Sequence, residues 1–124
     1  MSEIRSAAPQ FLVADLRRSL AFYEQRLGFG VDFVCEGFYA SVLRGGAVIH
    51  LKCAEKVEAD RAHRRAHDHL DAFLDVAGAR ELFDELKGRG APLAGGIERR
   101  PWNAVDFRVV DPDGYTLCFS ASEP

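Results

Sequence analysis

The stretch FLVADLRRSLAFYEQRLGFG, Phe11–Gly30, decides the fold. It begins as a short apolar strand and turns into a helix. Asp15 is placed to cap the first turn, Leu16, Leu20, Tyr23 and Leu27 recur at helical spacing, and Gly28 ends the run. Three strand-like segments follow, VDFVC, FYASVLR and AVIHLKC, the last two joined at Gly45-Gly46. Farther on the same order returns. LDAFLDV reads as a strand, AGARELFDELKGRG as a helix closed by Gly90, and PLAGGIERR, AVDFRVV and YTLCFSA as strands, with DPDG turning the last pair. The class is α+β: two βαβββ modules, each with its own mixed sheet.

Offsets make the repeat concrete. A shift of 63 lays Leu16, Leu20 and Tyr23 on Ala79, Phe83 and Leu86, and lays Ala8 on Asp71. A shift of 68 in the final hairpin lays Gly46 on Gly114, His50 on Cys118 and Leu51 on Phe119. One domain therefore covers 1–124, with a first module at about 1–55 and a second at about 69–124. Between them, 56–68 is charged and has no apolar stripe, so it reads as a linker. His63 and His67 within it are spaced like a zinc pair, but Arg61, Arg64 and Arg65 surround them, which makes a solvated segment the better reading.

Side chains alternate along a strand, so each strand has two faces. In VIHLKC, Ile49 and Leu51 oppose Val48, His50 and Lys52. In YTLCFSA, Leu117 and Phe119 oppose Thr116, Cys118 and Ser120. The apolar face of each sheet is expected to carry its module's helix, and the mixed face to line a cavity. Ala8, His50, Asp71 and Cys118 then hold equivalent cavity-facing places. Asp71 is the expected hydrogen-bond partner of His50.

Composition narrows the function classes. With 124 residues, 48% of them hydrophobic, the chain has material for one real core. A formal charge of -3 argues against nucleic acid and anionic membrane as partners. No apolar run approaches the roughly 18 residues of a membrane span, and Met1–Gln10 lacks a signal-peptide core. Three cysteines without C-x-x-C spacing suit free thiols and a cytoplasmic location.

VADLRRSLAFYEQRLGF and FRVVDPDGYTLCF resemble the opening and closing signatures of the vicinal oxygen chelate superfamily. It contains glyoxalases, extradiol dioxygenases, fosfomycin-resistance transferases and bleomycin-resistance proteins. The resemblance spans the chain and implies modules paired across a homodimer around a ligand cavity. In the family's metalloenzymes, ligands come from positions matching Ala8, His50, Asp71 and Cys118. Alanine cannot ligate, although Gln10 shares its face, and His69 is an alternative match to Asp71. No cofactor is favoured; if a divalent metal binds, the set is His50, Asp71 and Cys118.

The metal-free branch matches more closely. GFGVDFVCEGFYASVLRGG and RRPWNAVDFRVVDPDG resemble the bleomycin-resistance proteins, whose aromatics line a groove between protomers. Phe33, Phe38 and Trp102 match those groove positions, with His50, Asp71 and Cys118 as polar wall. The expected function is binding or sequestration of a flat organic ligand or antibiotic in that aromatic-lined groove. The alternative is a metal-dependent lyase, isomerase or dioxygenase of the same fold, and no catalytic residue is assigned. Basic residues near the cavity, in RAHRRAH and ERRPW, fit a neutral or anionic aromatic better than cationic bleomycin.

Overall fold

The computed structural model describes residues 2–54 and 69–124. The linker at 56–68, with His63 and His67, lies outside the described residues. Within them the chain forms two four-stranded mixed sheets. The first contains β1 (Gln10–Val13), β2 (Gly30–Cys35), β3 (Tyr39–Arg44) and β4 (Ala47–Cys53), in the order β1-β4-β3-β2. The second contains β5 (Ala72–Asp75), β6 (Glu98–Arg100), β7 (Ala104–Val110) and β8 (Thr116–Ser122), in the order β5-β8-β7-β6. Helix α1 (Leu16–Ala21) follows β1, and α2 (Ala79–Gly88) follows β5. The α+β class and the repeated βαβββ order hold.

Register shows how closely the repeat is kept. Gln10 lies beside His50 across the parallel β1–β4 pair, and Phe73 beside Cys118 across β5–β8. Adding 63 to the first position and 68 to the second converts one pair into the other.

Local chemistry explains the elements. The Asp15 side chain caps α1 by accepting the Arg18 N–H at 3.1 Å, which satisfies one of the orphan donors of a helix start. The helix expected to run to Gly28 instead widens into a π-turn over Phe22–Arg26, where Phe22 and Tyr23 are both buried. Gly28 and Gly90, at φ of 72° and 78°, take the left-handed conformation that follows a helix end. The strand expected over PLAGGIERR shrinks to Glu98–Arg100 plus one bridge from Leu93 to Val109. Pairing is kept through Ala94, whose N–H donates to the Arg108 carbonyl at 2.9 Å, and breaks where Gly95 at φ 89° leaves the extended region.

One core joins the modules. Phe11, Val13, Ile49 and Leu51 from the first sheet and Phe107, Leu117 and Phe119 from the second are all buried. Phe11 stacks on Tyr115 with ring centroids 4.0 Å apart. The Tyr115 hydroxyl accepts the Leu12 N–H at 2.6 Å and donates to the Leu12 carbonyl at 3.0 Å. Tyr23, fully buried, donates its hydroxyl to Asp111 at 2.9 Å. Arg44 makes a two-pronged pair with Glu85, both contacts at 2.9 Å, and donates to the Leu27 carbonyl at 2.8 Å. Its guanidinium lies close over Gly28, where an added Cβ would come within 2.7 Å.

Candidate functional site

Each sheet has a helix face and an open face. On the first sheet the helix face is apolar and closed: Ala40, Val42, Ile49 and Leu51 are at most 1% exposed. Its open face carries Gln10 from β1, Phe33 from β2, Tyr39 and Ser41 from β3, and His50 and Lys52 from β4. These residues touch one another. Gln10 Nε2 donates to the Tyr39 hydroxyl at 3.0 Å, and that hydroxyl lies 2.8 Å from His50 Nδ1. Phe33 runs parallel to Tyr39 at 6.3 Å and meets His50 edge-on at 6.0 Å, while Phe38 meets Tyr39 edge-on at 6.5 Å. Phe33 and Phe38 remain 45% and 51% exposed, so this aromatic group is not core filler.

Three of the residues singled out by sequence therefore meet: Phe33, Phe38 and His50. The expected pairing of His50 with Asp71 is corrected. Tyr39 holds the imidazole, while the Asp71 carboxylate accepts the Thr116 N–H at 2.9 Å at the start of β8. Lys52 shares the face that strand alternation assigned to His50, whereas Tyr39 and Ser41 were missed, although the Gly45-Gly46 turn encodes them. Arg44 opposes Ala47, so opposed residues sum to 91, which sets Ser41 against His50 and Tyr39 against Lys52.

Asp71, Trp102 and Cys118 belong to the second sheet. Trp102 stands 68% exposed in the β6–β7 turn. Cys118 is buried opposite Arg108. Burial, and then the Asp106 carboxylate, push its thiol above the ordinary range, and the cations Arg108 and Arg100 only partly offset this. Around it, Arg100 grips Asp106 through two contacts of 2.9 and 2.8 Å.

The three candidate metal donors are set apart: Cys118 is buried in the second sheet, one Asp71 oxygen accepts the Thr116 N–H, and His50 Nδ1 lies against the Tyr39 hydroxyl of the first sheet. Among the described residues of one chain, no three His, Cys, Asp or Glu side chains come together as a metal site.

A cavity of about 740 Å³ lies elsewhere, between the modules, lined by Phe29, Arg44, Val48, Leu74 and Glu85 among others. Its Arg44 is paired with Glu85 at 2.9 Å, and Asp75 and Glu81 add two further carboxylates to its wall. The open face of the first sheet differs in character, bringing rings and neutral hydrogen-bonding groups together. No helix among the described residues is long and apolar enough to cross a membrane.

Residues 6–119 match the model of the Glyoxalase/Bleomycin resistance protein/Dioxygenase superfamily, and the chain belongs to that family. Among solved structures it is similar to the bleomycin resistance determinant encoded on the transposon Tn5, at 23% identity and a TM-score of 0.77 over 98% of this chain and 100% of that one. The bleomycin-binding protein of Streptomyces verticillus, solved with copper(II)-bleomycin, is 22% identical with a TM-score of 0.71, covering 100% and 99%. A glyoxalase-related enzyme from Clostridium phytofermentans gives 21% and 0.78, covering 98% and 97%. No curated protein matches the sequence.

Proposed function

We propose that this chain is a non-catalytic binding or sequestration protein for a flat organic molecule, held on the open face of the first sheet in a homodimer. The observation that carries the proposal is the group of Phe33, Phe38, Tyr39 and His50, joined by ring contacts and a hydrogen bond, with Phe33 and Phe38 left about half exposed. Aromatic rings offer a planar ligand large contact area at small entropic cost, and a few fixed polar groups set its orientation. Membership of a family that includes bleomycin-resistance proteins supports ligand binding as the class.

What one copy leaves open supports the homodimer. Leu12, Phe33, Phe38 and Leu43 are exposed in the single chain, as is Trp102 on the other sheet. Pairing a second sheet over the first would bury such a surface and bring the second copy's Trp102 to the groove. No metal is required in this scheme, because the ligand is retained by ring contact and hydrogen bonds.

Two measurements test the proposal. Analytical ultracentrifugation at micromolar concentration is expected to give a dimer; a monomer removes the closed groove. In a thermal-shift screen of planar aromatics, hits should lose their effect in Phe33→Ala and Trp102→Ala. Hits that survive both substitutions place the ligand elsewhere and overturn the groove assignment.

A further inference from the structure

We infer that Gln10, Tyr39 and His50 form a directed hydrogen-bond chain that makes the open face of the first sheet a receptor for an oxygen acceptor, a carboxylate or phenolate carried by the flat ligand. This assignment rests on the ligand-binding reading above and adds to it the chemical class of the bound group.

Proton counting gives the direction. An amide nitrogen only donates, so the Gln10 Nε2 contact at 3.0 Å makes the Tyr39 oxygen an acceptor there. The phenol's single proton is then free for its other neighbour, His50 Nδ1 at 2.8 Å. Were Nδ1 protonated too, both neighbours would donate into one oxygen and the phenol proton would have to turn away from the chain. The arrangement in which every proton is used within the chain has Nδ1 accepting and the ring proton on Nε2. An Nε2–H offers a hydrogen bond to an oxygen and offers nothing to a cation.

One neighbour points the same way. Lys52 lies opposite Tyr39 on the same face and is exposed, so its ammonium favours an anion and repels a metal ion. Donors at His50 and Lys52, walled by Phe33 and Phe38, together describe an aromatic acid or phenolate.

The test uses the full chain labelled with 15N. Long-range 15N–1H correlation at pH of about 8, above the ordinary imidazole range near 6.5, should show His50 protonated on Nε2 with Nδ1 bare. In Tyr39→Phe the two tautomers should mix. A wild-type ring protonated on Nδ1, which follows if the Gln10 amide is turned over, overturns the assignment without needing any variant or ligand. Calorimetry then compares 2-naphthoate with 2-(aminomethyl)naphthalene, which share one aromatic body and differ in hydrogen-bonding sense. Wild type should prefer the carboxylate by about tenfold or more, and Tyr39→Phe should narrow the ratio to about threefold. Equal binding of both probes refutes the acceptor receptor and leaves the flat-ligand reading standing. An Nε2–H ring with neither probe bound supports the chain of hydrogen bonds and counts against the flat-ligand reading.

Discussion

The two open faces come from one repeat and have gone separate ways. On the first sheet, β4 presents Val48, His50 and Lys52, none of them fully buried, beside the half-exposed rings of Phe33 and Phe38. On the second, β8 presents Thr116, Cys118 and Ser120, exposed by only 8%, 1% and 5%, beside the Arg100–Asp106 ion pair. The hairpin turns diverge in the same sense. Gly45-Gly46 is an open turn, whereas Asp111 and Asp113 are buried or nearly so and hydrogen-bonded to Tyr23, Ala14 and Ser19 of the first module. A single scaffold thus has one face left partly open, and on the other sheet a closed face and a hairpin turn that ties the modules together. Equivalent position does not mean equivalent role.

Four outcomes would sharpen or break that contrast. The largest concerns Asp111, whose carboxyl is raised to about 6, first by burial, against which its hydrogen bonds from Tyr115, Tyr23 and Asp113 act only in part. A folded pKa above the unfolded one of about 3.9 means that the native state binds more protons between those values, so stability falls as pH rises from about 4 to 6 and is level above. The change is on the order of 3 kcal/mol. Chemical denaturation across that range should show the slope, and Asp111→Asn should flatten it.

Next is Arg100→Ala, which strands the buried Asp106 carboxylate and should cost roughly 2 kcal/mol by urea titration. Third, Phe33→Ala should leave stability within about 1 kcal/mol of wild type, since the ring is half exposed, while weakening 2-naphthoate by about tenfold. If Arg100→Ala impaired the probe more than Phe33→Ala did, the roles assigned to the faces would be reversed. The smallest effect belongs to Glu85. Its carboxyl is lowered to about 2, chiefly by the hydrogen bond from Arg44 and despite some burial. That contribution is full above the unfolded pKa of about 4.3 and fades as pH falls toward 2, the opposite sign to Asp111. The pair is more than a third exposed on both sides, so solvent screening should hold the loss in Glu85→Gln near 0.5–1 kcal/mol.

Much of this was legible in the sequence. Helix starts, glycine stops and hairpin turns fixed the element order, because each is a local signal with a steric or hydrogen-bonding cause. The strand over PLAGGIERR was over-read because its glycines were weighed less than its length. In the site, His50 emerged from face alternation, and Phe33 and Phe38 from the resemblance to the bleomycin-resistance proteins. Tyr39 was overlooked because its importance lies in a partner across the hairpin. That register was available from Gly45-Gly46, but the competition between Asp71 and Tyr39 for the imidazole was not. Asp71 is drawn to the Thr116 amide, a contact between distant segments that no spacing rule exposes.

The most direct measurement is an amide chemical-shift map of the 15N-labelled protein titrated with 2-naphthoate. The account predicts saturable shifts concentrated at Phe33, Phe38, Tyr39, Ser41, His50 and Lys52, with the β7–β8 hairpin unmoved. Shifts gathered instead around Phe29, Arg44, Leu74 and Glu85 would move the ligand to the cavity between the modules and contradict the assignment of the open aromatic face.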